Sequence, residues 1–448
     1  MLSISRTAQP TRRRPHRGAA ALVALLLGAG LASASIHAAT AGAATTAIAL
    51  EAVVEEALTK NPELRFYQAE IAAAGAGRRT AGAWQSPELT GTVGHKTADA
   101  GGFSAEGVAW SVSLIQPFEW PGRIGLRKAI ANQDVELANL GLGRFKTALA
   151  GRVRALAYGL FAAREKSAAA HEVADRFGAL REVLVQRDPA GLTPLLETRV
   201  IEATELNAQR KASESLLMAQ SARLELNQLR GAPAEDAMEI TDGNLVFRPT
   251  ESREVLLAMA RTNNFELRVR AIELAQQGFR VDLARNERFP ALAVGPTFSE
   301  ENAGTDRERI LGVVVSLPLP LWNRNRGNVE VASARQTQAA VSYELAQRDV
   351  TRRVLEAALT YETKLQEMAK WRPDSVAHFR EAAEVADRHY RLGAVPISTY
   401  VELQKQYLDA VESLLDTKRE ALEAAVQLEL LTGVPLPLSR TVAAKEGQ

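Results

Sequence analysis

The chain contains an internal repeat, with matching residues about 203 positions apart. The sequence Asn-Pro-Glu-Leu at 61–64 returns as Asn-Phe-Glu-Leu at 264–267, and Val-Ser-Leu at 112–114 returns at 315–317. The other matches are Pro87 with Pro290, Gly191 with Gly393, Pro194 with Pro396, Gly231 with Gly433 and Pro233 with Pro435. Landmarks in the same order predict two homologous halves, 48–233 and 252–435, joined by a linker at 234–251.

The N-terminal residues 1–43 predict a cleaved secretory signal peptide. Arg12, Arg13, Arg14 and Arg17 precede an apolar run at 19–31, and small residues follow it. That run is too short for a membrane-anchoring helix, which needs roughly 20 residues. No later segment is as hydrophobic, so a mature chain that enters a membrane is expected to do so as β-strands.

Charge and residue usage exclude several classes of function. Removing the five Arg of residues 1–43 from 54 basic residues leaves 49 against 53 acidic ones, a net charge of −4, so nucleic-acid binding has no electrostatic support. The chain has no Cys, which excludes a thiol nucleophile and a lipid anchor on Cys. Its six His are scattered. No catalytic, cofactor or metal site is predicted, and an enzyme is a remote alternative.

Long stretches without proline predict long helices. Between Pro121 and Pro189 there is no proline, and apolar residues three and four apart at 142–160 predict a coiled-coil-like helix. About 65 helical residues would span roughly 100 Å. The other predicted helices are 193–230, 327–388 with a bend at Pro373, and 398–431. The predicted fold class is α+β and mainly long α-helical.

Upstream of the long helices the pattern changes to alternation, which predicts two strands in each half. The predicted strands are 88–96, 108–118, 291–299 and 310–317, with polar loops at 97–106 and 300–309. Their apolar faces suit a transmembrane barrel. Four strands cannot close one, and an open edge in lipid leaves backbone groups unpaired. The chain is therefore expected to oligomerise, as a dimer or a trimer.

Four Trp residues lie at or beside the predicted strands: Trp84, Trp110, Trp120 and Trp322. In a barrel they would form the aromatic belts at the membrane surface. In a soluble sheet they would cap the ends of the strands. We predict that these four tryptophans lie at the membrane interface.

The chain resembles the TolC-like outer-membrane efflux proteins over about residues 50–437, and among them the CzcC-like heavy-metal branch. The resemblance rests on residues 61–64, on Gln-Pro-Phe-Glu-Trp-Pro-Gly-Arg at 116–123 and on Ser-Leu-Pro-Leu-Pro-Leu-Trp-Asn-Arg-Asn-Arg-Gly at 316–327. It implies a homotrimer in outer-membrane lipid, with a twelve-stranded β-barrel continuous with a periplasmic α-helical barrel. It also implies docking onto an inner-membrane resistance-nodulation-division pump through a periplasmic adaptor protein.

The resemblance also implies three groups of site residues. The turns from barrel to helix contain Pro117, Pro121, Gly122, Pro318, Pro320 and Gly327. The helix tips that would contact the adaptor contain Arg187, Asp188, Gly191, Leu192, Arg391, Gly393, Ala394 and Val395. The candidate periplasmic gate is Glu197 and Glu402, carboxylates that in a threefold ring would favour cations and pair between subunits with Arg187, Arg388 or Arg391. An ordinary helix turn and a solvated helix face are the alternatives for the tips and the gate.

The predicted function is that of the outer-membrane channel subunit of a tripartite efflux system. The channel would conduct exported substrate passively, heavy-metal cations by the resemblance. The alternatives are a drug-efflux or type I secretion channel, and a structural periplasmic or surface coiled-coil protein of adhesin-like type. The coiled-coil alternative gives no reason for four strands in a duplicated unit. Residues 436–448 are predicted to be a disordered tail.

Overall fold

The computed structural model describes residues 46–100, 103–187, 195–241, 243–372 and 374–441. The predicted signal peptide at 1–43 lies outside them. In chain order the elements are β1 (Thr46–Ile48), α1 (Leu50–Lys60), α2 (Glu63–Ala81), β2 (Glu88–Ala100), β3 (Phe103–Phe118), α3 (Arg123–Arg187), α4 (Leu195–Leu229), β4 (Met238–Ile240), β5 (Leu245–Phe247), α5 (Arg253–Asn263), α6 (Phe265–Asn286), β6 (Leu292–Ala303), β7 (Asp306–Ser316), α7 (Arg326–Ala369), α8 (Ser375–Arg391), α9 (Ile397–Thr432) and β8 (Ser439–Thr441).

The two halves of the chain have nearly the same order of elements. Each begins with a short strand and two helices, continues through a pair of long strands, and ends with long helices and a closing short strand. The short strands of the two halves pair in different directions. Strand β1 pairs with β4 in parallel, and β5 pairs with β8 antiparallel. The predicted linker at 234–251 therefore carries two ordered strands, one belonging to each half.

The long helices follow from the distribution of proline. Helix α3 has 65 residues and fills the interval between Pro121 and Pro189. The predicted helix at 327–388 is instead two helices, because α7 ends at Ala369 and α8 begins at Ser375. Pro373 itself lies outside the described residues. The first half has no such break, since α3 is continuous through the matching positions.

The four long strands form one antiparallel sheet in the order β2-β3-β6-β7. The predicted polar loops at 97–106 and 300–309 are wrong. Pairing continues to Ala100 with Phe103 and to Ala303 with Asp306. Gly304 follows β6 with a φ of 62°, as the first position of a two-residue type II′ turn requires. At the hairpin ends of these strands both faces of the sheet carry polar side chains. Residues 97–106 and 300–309 therefore have a composition typical of loops.

Three clusters of buried residues follow one another along the helices. One surrounds Val153 of α3 beside α1 and α4, and another joins Phe177 of α3 to Tyr400 of α9 and to α8. The third joins α5, α7 and α9 around Val354. Many members are alanines, such as Ala212, whose small side chain lets neighbouring helix backbones approach closely.

Each half is held together at its α1–α2 or α5–α6 junction. The buried side chain of Asn61 donates to the carbonyl oxygen of Leu229 over 2.8 Å, and Asn264 donates to Leu431 over 2.7 Å. These acceptors lie at the ends of α4 and α9. The repeated Asn of 61–64 and 264–267 is thus a structural residue.

The C-terminal segment corrects one prediction. Residues 436–448 were expected to form a disordered tail, yet Leu436 and Leu438 are buried and β8 pairs with β5. The leucines pack into the third cluster, beside α5 and α9. Residues 442–448 lie outside the described part of the chain.

Candidate functional site

The sheet has one apolar and one polar face, and the apolar face is open. Directly paired residues lie on the same face, so Leu89 joins Leu114, and Val112 joins Phe298 and Leu311. Val93 and Leu311, on the two edge strands, are 82% and 81% exposed. A soluble protein rarely leaves so many neighbouring apolar side chains uncovered, so this face is built to contact lipid or protein.

The opposite face is lined by small hydroxyl side chains. Thr92 and Ser111 are hydrogen-bonded at 2.6 Å, and Ser299 continues the row on β6. Towards the hairpin ends, Lys96 forms an ion pair of 2.5 Å with Glu301. This face suits contact with water and dissolved ions.

The predicted interface Trp residues lie at two levels of the sheet. Trp84 packs edge-on against Phe118, Trp120 stacks on Phe289 at 4.6 Å, and Trp322 is 93% exposed; all three lie where the sheet meets the helices. Trp110 lies on the apolar face beside Phe298, eight residues up β3 from Phe118, or roughly 26 Å along the strand.

Charged residues follow beyond Trp110 on the same apolar face. Glu300 pairs directly with Trp110 and accepts from Arg309 Nε at 3.0 Å. His95 and Glu106 lie at the matching level of β2 and β3, 3.6 Å apart. The apolar band is therefore bounded by aromatic residues at both levels and by charges at the outer one.

The first predicted turn from sheet to helix is braced by α6. Pro117 is still paired within β3, and after Pro121 the chain reverses at Gly122, whose φ of 89° favours glycine. Arg123 at the start of α3 then donates to the carbonyl oxygen of Phe289 at 2.7 Å and to Asn286 Oδ1 at 3.1 Å.

The second turn corrects a residue role. Pro318 and Pro320 lie in the irregular segment after β7, as expected. Gly327, one of the predicted turn residues, is inside α7 with open space where a β-carbon would be, so no crowding at this position requires glycine. The left-handed residue is Asn325, with a φ of 58°, and its side chain donates to the carbonyl oxygen of Ala284 at 2.8 Å.

Only one of the two predicted tips is described. Asp188, Gly191 and Leu192 lie outside the described residues, and Arg187 is the last residue of α3. At the other tip Gly393 has a φ of 75°, its N–H donates to the carbonyl of Tyr390 and that of Ala394 to the carbonyl of His389, both at 2.9 Å. This is a Schellman motif, which ends α8 with exposed backbone and small side chains at 393–395.

The aromatic residue of this tip connects it to α4. Tyr390 stacks on Tyr400 with ring centres 5.2 Å apart, and its hydroxyl donates to Glu197 Oε2 at 3.3 Å. Burial, followed by the charge of Glu197, raises the pKa of Tyr390 to about 12. Arg391 pairs with Asp387 on its own helix at 2.9 Å.

The two candidate gate carboxylates have different surroundings. Glu197 is half-buried and held by Tyr390. Glu402 is exposed and accepts from Gln406 one turn along α9 at 2.7 Å. Within the described residues of one subunit, neither is paired with Arg388 or Arg391, and pairing between subunits stays a prediction.

A larger polar network, not predicted from the sequence, joins α3, α8 and α9 above the tip. Arg176 donates to Glu172 at 2.6 Å, to Glu384 at 3.3 Å and to the fully buried Gln404 at 3.1 Å. Arg380 of α8 also donates to Glu172, at 3.1 Å. Because the acid on α3 and the base on α8 are 208 residues apart, no local sequence pattern marks this contact.

The same network includes a tyrosine of α9 with a raised pKa. Tyr407 of α9 donates to Glu172 Oε2 at 3.2 Å. Burial and then the charge of Glu172 raise the pKa of Tyr407 to about 12. The hydroxyl therefore stays a donor across the physiological range.

The helices form a layer whose two outermost members carry unpartnered apolar seams. Helices α3 and α9 contact each other, α4 packs on α3, and α7 and α8 pack on α9. The exposed seam of α4 contains Leu196, Leu206, Leu217 and Leu224, and that of α7 contains Val331, Val341, Leu345, Leu355 and Leu359. Val331, Leu345 and Leu359 are fourteen residues apart, the spacing of two coiled-coil heptads.

The described ranges contain neither a membrane-crossing helix nor a cluster of metal ligands. Within them, no helix has the length and apolarity to cross a bilayer. In the same ranges, no three His, Asp or Glu side chains are placed to hold a metal ion.

Parts of the sequence are similar to known proteins. Residues 256–434 match the outer membrane efflux protein family. The cobalt-zinc-cadmium resistance protein CzcC of Cupriavidus metallidurans is 27% identical over 244 residues, which are 54% of this chain and 57% of that protein. The match thus spans little more than half the length of this relative.

Solved structures share the fold over most of the chain. The Campylobacter jejuni CmeC outer membrane channel has a TM-score of 0.71 at 16% identity, covering 86% of this chain and 85% of its own. CusC has a TM-score of 0.68 at 15% identity, covering 87% and 94%. A membrane protein from Pseudomonas aeruginosa has a TM-score of 0.70 at 21% identity, covering 86% and 90%.

Proposed function

We propose that this chain, whose predicted resemblance to the TolC-like outer-membrane efflux proteins these matches confirm, is the outer-membrane channel subunit of a tripartite efflux system. The observation that carries the proposal is the sheet, with an open apolar face backed by a row of hydroxyls. In a closed barrel the first would face lipid and the second the water-filled lumen. A surface coiled-coil protein would have no use for such a sheet.

The subunit assembles head to tail into a ring, and we propose a trimer. The first half has strand β2 at one edge of the sheet and helix α4 at one edge of the helix layer. The second half has strand β7 and helix α7 at the opposite edges. A contact between two different surfaces repeats from copy to copy until the ring closes. Closure pairs the sheet edges and covers the seams on α4 and α7, and three copies give the twelve strands that the family resemblance implies.

The internal repeat supports a specific strand register between copies. Within the chain, Val112 of β3 pairs with Phe298 of β6. In the internal repeat, Val112 corresponds to Val315 on β7, and Phe298 corresponds to His95 on β2. In the ring, Val315 is therefore paired with His95 of the partner subunit, which keeps the apolar faces of both copies on the outside.

The helix tips at 187–192 and 391–395 are the proposed contacts with a periplasmic adaptor, through which an inner-membrane resistance-nodulation-division pump is engaged. The tip at Gly393 presents exposed backbone and the side chain of Leu392, 80% exposed. Glu197 and Glu402 remain the proposed gate carboxylates, and the Glu172 network that ties α8 to α3 would limit how far this end of the tube opens.

The proposed cargo is heavy-metal cations, supported by the name of the CzcC relative and by the hydroxyl-lined face. In a strain lacking the gene, we expect sensitivity to cobalt, zinc or cadmium, restored by the wild-type chain. Susceptibility to drugs without a change in metal tolerance would support a drug channel instead. For the channel itself, we expect a trimer from the outer-membrane fraction that conducts ions in a planar bilayer. A monomer in the soluble periplasmic fraction would contradict the proposal.

A further inference from the structure

A cavity of about 480 Å³ lies among α3, α8 and α9, next to the break between α7 and α8. Val376 and Ala377, from the first turn of α8, form one wall, and Leu415 of α9 forms another. The cavity is away from the predicted tips and gate. Its volume is within the range of small-molecule sites in proteins, roughly 300–1,000 Å³.

The linker between the two halves closes one side of the cavity. Gly243 lies so close to the ring of Phe161 that a β-carbon at this position would overlap it. Asn244 follows and lines the cavity with Phe161. The apolar walls are therefore completed by an aromatic ring whose position depends on a glycine in the linker.

One cationic group of the cavity, on Lys418, has no countercharge among the described residues. Lys418 Nζ donates to Asn244 Oδ1 at 2.8 Å, and among the described residues no carboxylate lies at ion-pair distance from it. Burial lowers the pKa of this lysine, because the chain does not offset the cost of desolvating its charge. Arg380, which also lines the cavity, is already paired with Glu172 at 3.1 Å.

We propose that this cavity binds an amphipathic organic anion, with its apolar body against Phe161 and Leu415 and its anionic group on the ammonium of Lys418. An anion supplies the countercharge that the described residues do not give this half-buried lysine, which a neutral or cationic molecule cannot do. Glu165 at the rim is exposed, so water screens its charge.

Such a ligand would bridge the halves of the chain. It would touch α3 of the first half, α8 and α9 of the second, and the linker between them. Binding there would stabilise the arrangement of these helices beside the break, whatever the channel transports.

Two fluorescent probes with the same aromatic body test this site. 1-Anilinonaphthalene-8-sulfonate carries a sulfonate, and N-phenyl-1-naphthylamine has none. Affinities are measured by fluorescence titration of the full purified protein in lipid nanodiscs, with empty nanodiscs subtracted. Lys418→Met should weaken sulfonate binding about tenfold, as expected for one charge-assisted contact, and change neutral-probe binding less than about twofold.

Three further variants make the result specific. Ala377→Trp should abolish the binding of both probes by filling the cavity. Arg419→Met removes a neighbouring cation that is paired with Glu423 at 3.2 Å and should change neither affinity. Asp242 lies outside the described residues, and Asp242→Asn should also leave both affinities unchanged. Circular dichroism and oligomer size confirm folding of each variant.

Several outcomes would overturn the inference. Sulfonate affinity unchanged in Lys418→Met would show that the lysine does not bind the anion. Probe binding retained in Ala377→Trp would place the probes elsewhere. A loss in Arg419→Met equal to that in Lys418→Met would indicate general surface attraction. A large gain of sulfonate affinity in Asp242→Asn would mean that the chain already neutralises Lys418.

Discussion

The side-chain amide of Asn61 donates to the backbone carbonyl of Leu229 over 2.8 Å, which fixes the α1–α2 junction to the end of α4. The same contact recurs at 2.7 Å between Asn264 and Leu431 in the second half. A structural contact thus accounts for the repeated Asn, while function is carried by surfaces that the two halves present to other molecules.

Removing this contact should destabilise the chain. Asn264→Ala leaves a buried carbonyl oxygen without its donor, and we expect a loss of about 1–3 kcal/mol in the free energy of unfolding. Urea titration followed by circular dichroism measures it. Asn139→Ala is the matched control, because Asn139 makes a 2.8 Å amide-to-carbonyl bond on an exposed helix face. Equal effects at both sites would contradict the structural role of Asn264.

Gly433 should tolerate alanine less well than a glycine inside a helix. Its φ is 68°, and a β-carbon there would overlap the carbonyl of Asn263. The left-handed conformation alone costs roughly 1–2 kcal/mol for alanine. Gly159→Ala, in α3 with open space around the site, should instead stabilise by about 0.5–1 kcal/mol. The comparison uses thermal melting, and similar melting temperatures for the two variants would argue against the described backbone at Gly433.

The tyrosines of the helical region should make stability fall at alkaline pH. The pKa values of Tyr390 and Tyr407 are raised from 10.0 to about 12. A raised folded pKa adds stability that is present below the unfolded value and is lost as pH rises through the folded one. We therefore expect the free energy of unfolding to fall between pH 10 and 12.

The double variant Tyr390→Phe and Tyr407→Phe provides the control for this pH effect. Phenylalanine keeps the rings but has no ionisable hydroxyl, so the variant should show a shallower decline over the same pH range. A decline as steep as that of the wild type would assign the effect to other groups. No decline in either protein would contradict the raised pKa values.

The Glu172 network should control the tip end of the proposed tube. Arg380→Ala removes a donor that ties α8 to α3, and we expect larger or more frequent openings in planar-bilayer recordings. Arg348→Ala is the control, because Arg348 pairs with Glu344 on the exposed face of a single helix. An unchanged conductance in Arg380→Ala would remove the network from the gating proposal.

The sequence predicts the helices and strands that are determined by local residue patterns. Helix α3 occupies the interval between two prolines, and the strand centres follow from alternation of apolar and small polar residues. The exposed apolar face is also readable, because Trp110 and Val112 lie on it together.

Other features depend on contacts between distant residues. Glu172 and Arg380 meet only because two long helices pack side by side. Leu436 and Leu438 are buried by packing into the third cluster, a contact with distant residues that the short C-terminal segment does not reveal.

The bend predicted at Pro373 is matched by the interruption between Ala369 and Ser375, although a proline alone does not fix whether a helix bends or ends. The extended hairpins are not predicted, because polarity does not fix where strand pairing ends.

Disulfide trapping between copies tests the central claim most directly, since the chain has no Cys of its own. Val315→Cys combined with His95→Cys places one thiol on each unpaired sheet edge, and Val112→Cys with Phe298→Cys is the control within one chain. We expect the first pair, oxidised in outer membranes, to give covalent dimers and trimers on a denaturing gel. We expect the control pair to give monomers only. Monomers from both pairs, with the thiols of Val315→Cys and His95→Cys still free, would contradict a ring closed through β7 and β2.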